Sequence, residues 1–495
     1  MLNYKKLRTI FVISAILLFI FSCSAEDPVI INNDADISET ADGGADAVFD
    51  RWAQEPINLP EMDFEGRDFN VITLHNRDNR AWLHVTVEEL IGDDIIDALY
   101  IRNLATEERF NITINEINVD NPSETSRRSI LAGDSEYDLI IDNIFNVTSG
   151  FLFPHLLADL TEVPYIKDGL DKSWWDQGIK RDLAIRDRLF FSAGHIILRD
   201  KLRISSIFFN KGMFYTFGME YPYRYVLEGT WTIDKLMQLT RGINADLDGD
   251  GVMGQYDRWG LLAETTFAVY AFEASGERMA TLNRDRLPEI TMNTPRAINV
   301  IQKALETVFA PESMFLVENI TGTDNVWYRA NQFFAEDRFL FRIGILEHVV
   351  RDLRHMPTDF GILPMFKFDE HQENYYSRMD QWGYVVGIPM NADLEFSGLI
   401  TEALAHKSGS TLMPAFYDVC LATKHLRDDE SEEMLDIIFN NRIYDLGYLF
   451  NIGGQQDMLG NMIRANSTDF VSEFERVRDR MQADLQRLID VFDGD

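Results

Sequence analysis

Phe69-Asn70-Val71-Ile72-Thr73-Leu74, followed by Asp94 to Phe110, Ile112 to Val119, Ser123 to Ala132 and Tyr137-Asp138-Leu139-Ile140-Ile141-Asp142, decides the fold class. The first, third and fifth pieces are rich in apolar and β-branched residues and read as strands, while the two between them carry apolar residues at helical spacing. Strand, helix and strand repeated in this way predict a parallel sheet with helical crossovers, so the chain is α/β. Ligands of such sheets sit beyond the carboxyl ends of the strands. Asn76 and Arg77 after the first strand, and Asp142 and Asn143 at the end of the third, are therefore candidate ligand contacts, with a plain turn role as the alternative.

A second block contains the strand Ile207-Phe208-Phe209-Asn210-Lys211, a short helix near Met213 to Phe217, and Gly229-Thr230-Trp231-Thr232-Ile233-Asp234 leading into a helix that ends near Ile243. Further on come Asp359-Phe360-Gly361-Ile362-Leu363-Pro364 and late helices around Arg427-Asp428-Asp429-Glu430-Ser431. In this order the pieces resemble the family 1 extracellular solute-binding proteins of ABC importers, the maltodextrin-binding type, over nearly the whole chain from about Phe64. The resemblance implies a two-lobed periplasmic-binding-protein-like fold, with parallel-type sheets flanked by helices and a hinge of three crossing segments. One lobe is expected over 63–204 and 385–410 and the other over 205–384 and 411–495. The crossings are expected near Arg203 to Ile207, Tyr384 to Gly387, and Gly409 to Pro414. Closure of this type is a rigid-body motion absorbed by a few hinge residues, and the ligand selects the closed state by touching both lobes. The implied role is transport without catalysis. The implied partners are a small carbohydrate and the membrane subunits of an ABC permease, with the protein itself a monomer.

Sugar sites set aromatic faces against pyranose C–H groups and ring carboxylates, amides and guanidinium groups around the hydroxyls. Aromatic residues make up 12% of the chain and include 8 Trp, several of them, Trp382 included, in loops and at element ends. By similarity of spacing to the family, Glu264 and Phe267, followed by Gly276, match cleft positions of the second lobe. Phe416-Tyr417 matches an aromatic stacking position, and Arg203 matches a cleft position of the first lobe. Arg203 and Arg342 stand where the family type has an acid and an amide, and Ile345 stands where it has an aromatic platform. These departures turn the expectation from maltodextrin towards an acidic or differently shaped glycan.

At the N-terminus Lys5, Lys6 and Arg8 precede an apolar run from Ile10 to Phe21 that ends at Ser22-Cys23, the three parts of a signal peptide. The run is shorter than the about 20 residues that span a bilayer comfortably. Ile20-Phe21-Ser22-Cys23 resembles a bacterial lipobox, which implies that 1–22 is removed and that Cys23 carries the lipid holding the protein at the outer face of the cell membrane. An uncleaved anchor is the alternative, and it too places the body outside. Residues 23–62 are acidic, rich in small residues and poor in periodic apolar positions, as expected of a lipidated, disordered tether. With Cys23 acylated, Cys420 is the only other cysteine, so no intramolecular disulfide is expected.

The formal charge is −35, and removing three cations and no acid with the signal brings it to −38, which argues against nucleic acid as a partner. One acidic stretch has a more specific pattern. Asp246-Leu-Asp248-Gly-Asp250-Gly251-Val252-Met-Gly-Gln-Tyr-Asp257 places carboxylates at loop positions 1, 3, 5 and 12, with Gly at 6 for the sharp turn and the Val252 carbonyl at 7. That spacing wraps oxygen ligands around calcium, and a lone loop of this kind points to a structural Ca2+; an acidic turn without metal is the alternative. Asp257 stands in place of the usual Glu and has a shorter arm. Two rival functions remain from the sequence: an extracellular glycan-active hydrolase, which needs two carboxylates at fixed separation, and a surface glycan-binding protein without a transport role.

Overall fold

The computed structural model describes residues 55–75, 80–417 and 429–494. Asn76, Arg77, Cys23 and Arg427-Asp428 lie outside the described residues, as does the tether up to residue 54. The described residues belong to one unit that contains two large sheets and two two-stranded ones.

In the first sheet β1 (Arg67–Leu74) pairs in parallel with β2 (Ile112–Val119) on one side and with β3 (Leu139–Asn143) on the other. The helix Asp94–Phe110 between β1 and β2 begins where the Asp93 carboxylate accepts from the amides of Ile95 and Ile96, and it ends at Asn111, whose left-handed φ of 48° turns the chain back into β2. The helix Pro122–Ala132 between β2 and β3 is capped by Asn121, opens on Pro and closes on Gly133. Every residue of β3 is buried, as a strand covered on both faces requires.

In the second sheet the order is β10-β4-β9-β5-β8, with β4 (Ser205–Asn210), β5 (Trp259–Ala263), β8 (Phe315–Leu316), β9 (Phe339–Ile345) and β10 (Phe360–Leu363). A hairpin of β6 (Ala280–Leu282) and β7 (Pro288–Ile290), and the parallel pair of β11 (Ser377–Arg378) with β13 (Arg442–Ile443), stand apart from both sheets. The last strand of the first sheet, β12 (Tyr384–Gly387), pairs with β3.

The sheets are mixed rather than wholly of the parallel type. β12 runs antiparallel to β3, and β4 runs antiparallel to both β9 and β10. Each of these strands follows a segment arriving from the other sheet, so it is free of the right-handed helical crossover that makes consecutive strands parallel.

Two of those arriving segments lie side by side. Ile204, just before β4, forms a bridge with Met379, and the Asp380 amide donates to the Arg203 carbonyl at 3.0 Å. The second crossing is thus the stretch 379–383, and Tyr384–Gly387, expected as the crossing, is strand β12 itself. Leu394–Ser410 and Leu412–Pro414, where the third crossing is expected, are helical and pack on Asp94–Phe110, and the helix Asp429–Asn440 packs on β10.

Candidate functional site

Where the two adjacent passages meet the end of β9, the structure encloses a cavity of about 460 Å3. Ile345, the last residue of β9, lines it together with His348 and Arg351 of the turn that follows. Glu264 and Tyr270 come to it from the end of β5 and the helix Phe267–Ala274, and Tyr448 from the short helix Leu446–Leu449. Arg203 and Asp380–Trp382 close the side formed by the passages, and Trp327 stands at the start of the helix Val326–Ala335.

Behind this lining lies a set of paired charges. Arg203 donates to Glu347 at 3.0 Å and to Asp380 at 2.8 Å. Glu347 is fully buried and also takes Arg80, which reaches it from the loop after β1 at 2.7 Å. Arg378 lies 3.0 Å from Glu273 and sits between the rings of Tyr270 and Tyr448, at 4.9 and 4.1 Å from their centroids. Arg351 is held by Asp352 at 2.6 Å, and Glu264 takes Arg342 at 3.0 Å. Burial alone would push the Glu347 and Asp380 carboxyls up, but the Arg203 guanidinium beside both, with Arg199 and Arg351 near Glu347 and Arg378 near Asp380, holds them below the ordinary carboxylate range. His348 is driven the other way: burial first, then Arg342, Arg351 and Arg203, keep its imidazole neutral. Its ring lies so close to Gly344 that a Cβ there would fall 2.5 Å from Nδ1.

The cavity therefore presents fixed donors and acceptors whose charges are already matched, beside the indoles of Trp327 and Trp382, which are 50% and 42% exposed. Of the residues singled out from sequence, Arg203, Glu264 and Trp382 come together here. Arg342 is fully buried behind Glu264, where it also donates to Asn331 at 3.3 Å. The two arginines thus offer no unpaired cation for a glycan carboxylate, which removes the ground for expecting an acidic ligand. Phe267 is buried against Phe366, with ring centroids 6.0 Å apart. Phe416 and Tyr417 are buried too, Tyr417 bonding to Asp436 and packing on Phe439 rather than facing the cavity. Asp142 and Asn143 end β3 in a bonded knot, the Asp142 carboxylate taking the Asn143 and Asn146 amides while Asn143 caps the helix Ile144–Val147. Asp380, Tyr270, Tyr448 and Glu347 were missed from sequence. Tyr270, one helical turn beyond Phe267, and Asp380, two residues before Trp382, carried a readable signal by proximity alone.

The acidic loop forms a second locus. Carboxylate oxygens of Asp246, Asp248 and Asp250 lie within 4.8 Å of one another on an exposed turn. Asp246 accepts from the amides of Gly249 and Gly251 at 2.6 and 2.9 Å, and Gly251 takes the positive φ of 81° that the turn demands. Asp257 is buried outside that group and clasps the two ends of the loop, accepting from the Leu247 amide at 2.8 Å and the Gly254 amide at 2.6 Å. Burial raises its carboxyl, and the amides of Gly254, Leu247 and Asp248 outweigh that and hold it below its ordinary value. The short Asp side chain reaches the backbone of its own loop, and Val252 is exposed at the tip. Three clustered carboxylates make a donor set of the hard, oxygen-only kind that suits Ca2+.

No family model and no curated protein sequence matches the chain. Solved structures do. An ABC substrate-binding protein from Listeria monocytogenes in complex with cycloalternan superimposes with a TM-score of 0.53 at 11% identity, covering 87% of this chain and 99% of that one. The maltose/maltodextrin-binding domain from Bdellovibrio bacteriovorus bound to maltotriose gives 0.51 at 14% identity, over 85% and 99% of the two chains. An ABC transporter solute-binding protein from Agrobacterium radiobacter K84 in complex with ribitol gives 0.52 at 11% identity, over 85% and 100%. The chain has the periplasmic-binding-protein-like fold of these proteins.

Proposed function

We propose that this protein is the substrate-binding lipoprotein of an ABC importer, capturing a carbohydrate, and in particular an oligosaccharide, between two lobes and delivering it to membrane permease subunits. The observation that carries this reading is the position of the cavity. It lies at the paired passages Arg203–Ile204 and Met379–Gly383 that link the two sheets, the place where a ligand can bias a hinge. The lining supports a neutral polyhydroxylated ligand: half-exposed indoles supply faces for C–H groups, and charge-matched carboxylates and guanidinium groups supply hydroxyl partners without a net charge to satisfy. The structural neighbours were solved with cycloalternan, maltotriose and ribitol, which supports the same ligand class.

Hydrolysis is less well supported. A glycosidase acid needs a raised pKa. Among the lining carboxylates Asp380 is held below the ordinary range by the guanidinium groups of Arg203 and Arg378, the opposite of what a proton donor needs. We further propose that lipid on Cys23 holds the protein at the outer face of the cell membrane; among the described residues no helix is long and apolar enough to cross one. A structural Ca2+ held by Asp246, Asp248, Asp250 and the Val252 carbonyl, with Asp257 clasping the loop, completes the proposal.

The test is a thermal-unfolding screen of the soluble body with mono- and oligosaccharides and polyols, with peptides as controls and product analysis in parallel. A ligand that binds only the folded state raises the midpoint by mass action. Saccharides that raise it without being consumed support the reading; turnover supports the hydrolase, and stabilisation by peptides alone overturns the ligand class.

A further inference from the structure

A second cavity, of about 290 Å3, has its own lining and adjoins the first through residues next to one another in chain and in space. Tyr448 lines the first chamber and Leu449 and Phe450 the second, and the Trp382 ring of the first lies 5.9 Å from the Phe145 ring of the second. The Phe145 amide donates to the Gln381 carbonyl at 3.2 Å, so backbone as well as rings joins the two chambers. We infer that the cleft is a two-chamber site, in which an extended oligosaccharide crosses the Phe145–Trp382 pair and places a further sugar unit in the second chamber. The inference rests on the carbohydrate reading above and adds to it where the chain of sugars goes.

Three features of the second chamber carry the argument. Its walls come from both sides of the cleft: Phe145, Ser149 and Phe153 follow β3 of the first sheet, whereas Phe450, Asn451 and Arg487 follow from helices on the side of the second. A ligand there touches both sides, which is the condition for favouring closure. Its surface is divided as a sugar ring is divided, with an apolar floor of buried Phe450 and part-buried Phe153 and a polar rim of Ser149, Asn451 and Arg487. Arg487 lies over the Phe153 ring at 4.6 Å and makes no ion pair among the described residues, so its donors are available to hydroxyls. Finally, Phe145 and Trp382 are 41% and 42% exposed, two large rings left half open at the boundary between the chambers. In size, 290 Å3 lies near the low end of the roughly 300–1,000 Å3 range of small-molecule sites, suited to one ring rather than a chain of rings.

The experiment uses calorimetric titration of the soluble body with glucose, maltose, maltotriose and maltotetraose, and with galactose, raffinose and stachyose. Affinity is expected to rise with length in the series that binds. Ser149→Trp, which fills the second chamber from an exposed position, is expected to weaken the longer ligands at least tenfold and leave the shortest binding ligand within twofold. Arg487→Ala is expected to weaken the longer ligands alone, and it decides the matter if Ser149→Trp does not fold. Equal affinity for all lengths, or equal losses for short and long ligands in the folded variants, overturns the two-chamber site while leaving carbohydrate binding standing. No binding by any saccharide of either series overturns the carbohydrate reading and this inference with it.

Discussion

Arg80 Nη1 lies 2.7 Å from Glu347 Oε1, an ion pair that joins the loop after β1 of the first sheet to the turn after β9 of the second. Glu347 is fully buried and Arg80 only 20% exposed, so the pair is poorly screened by solvent. Arg80→Ala is expected to cost about 1.5–3 kcal/mol, the worth of a charge-assisted hydrogen bond, read as a lower denaturation midpoint, and to speed ligand release by loosening the closed state.

The acid dependence of Glu347 follows from the sign of its shift. Its carboxyl is held below the usual value, so the native state favours the ionised form; the stability it contributes is complete above the unfolded value of 4.5 and is lost as pH falls below that. Glu347→Gln is expected to lower stability at pH 7 and to flatten the acid side of the stability profile. A profile identical in shape to that of the parent protein would show that other carboxylates govern acid unfolding.

Glu402 should titrate in the opposite sense. It accepts the indole N–H of Trp174 at 2.7 Å and of Trp175 at 2.8 Å, yet burial outweighs both bonds and pushes its carboxyl up to about 7. Between 4.5 and about 7 the native state then holds a proton that the unfolded chain has released, so this group's contribution falls as pH rises across that window. The two indoles report it: Trp fluorescence is expected to change with a midpoint near 7, and Glu402→Gln should remove the transition.

Much of the fold was legible because local chemistry marks it. Apolar periodicity placed the helix Asp94–Phe110 and the strand Ile112–Val119, and Leu139-Ile140-Ile141 marked β3, each from within a few residues. The cleft was legible only in part, because its partners are distant in sequence: Arg80 and Glu347 are 267 residues apart, and Arg203 and Asp380 are 177 apart. Nothing in local spacing records such a pairing. The crossing expected at Tyr384–Gly387 falls on β12 instead, because Met379-Asp380-Gln381-Trp382-Gly383 carries no local pattern that marks a passage, whereas the apolar Tyr384-Val385-Val386 marks a buried strand. Phe416-Tyr417 carried the right residue types for stacking, but packing against Phe439 and a bond to Asp436 turn that pair into the interior.

Calcium at the Asp246 loop is expected to add about 1.4 kcal/mol when present at ten times its dissociation constant, from RT ln(1 + 10). A chelator should lower the unfolding midpoint and calcium restore it, and Asp248→Ala should abolish the difference while leaving saccharide binding intact. If chelation changes nothing and no calcium copurifies, the loop is an acidic turn.

Cys23→Ala in the full chain is expected to release the protein from membranes without altering the unfolding midpoint of the body. Fractionation followed by immunoblotting reads the outcome, and continued tight membrane association would place the anchor elsewhere.

Capture of a saccharide by closure is tested most directly by small-angle scattering of the soluble body, titrated with the saccharide that stabilises it most. The protein is expected to be a compact monomer whose radius of gyration falls as the cleft around Arg203, Asp380 and Trp382 fills, with half the change at the dissociation constant measured by calorimetry. A radius of gyration that stays the same at saturating ligand would contradict it.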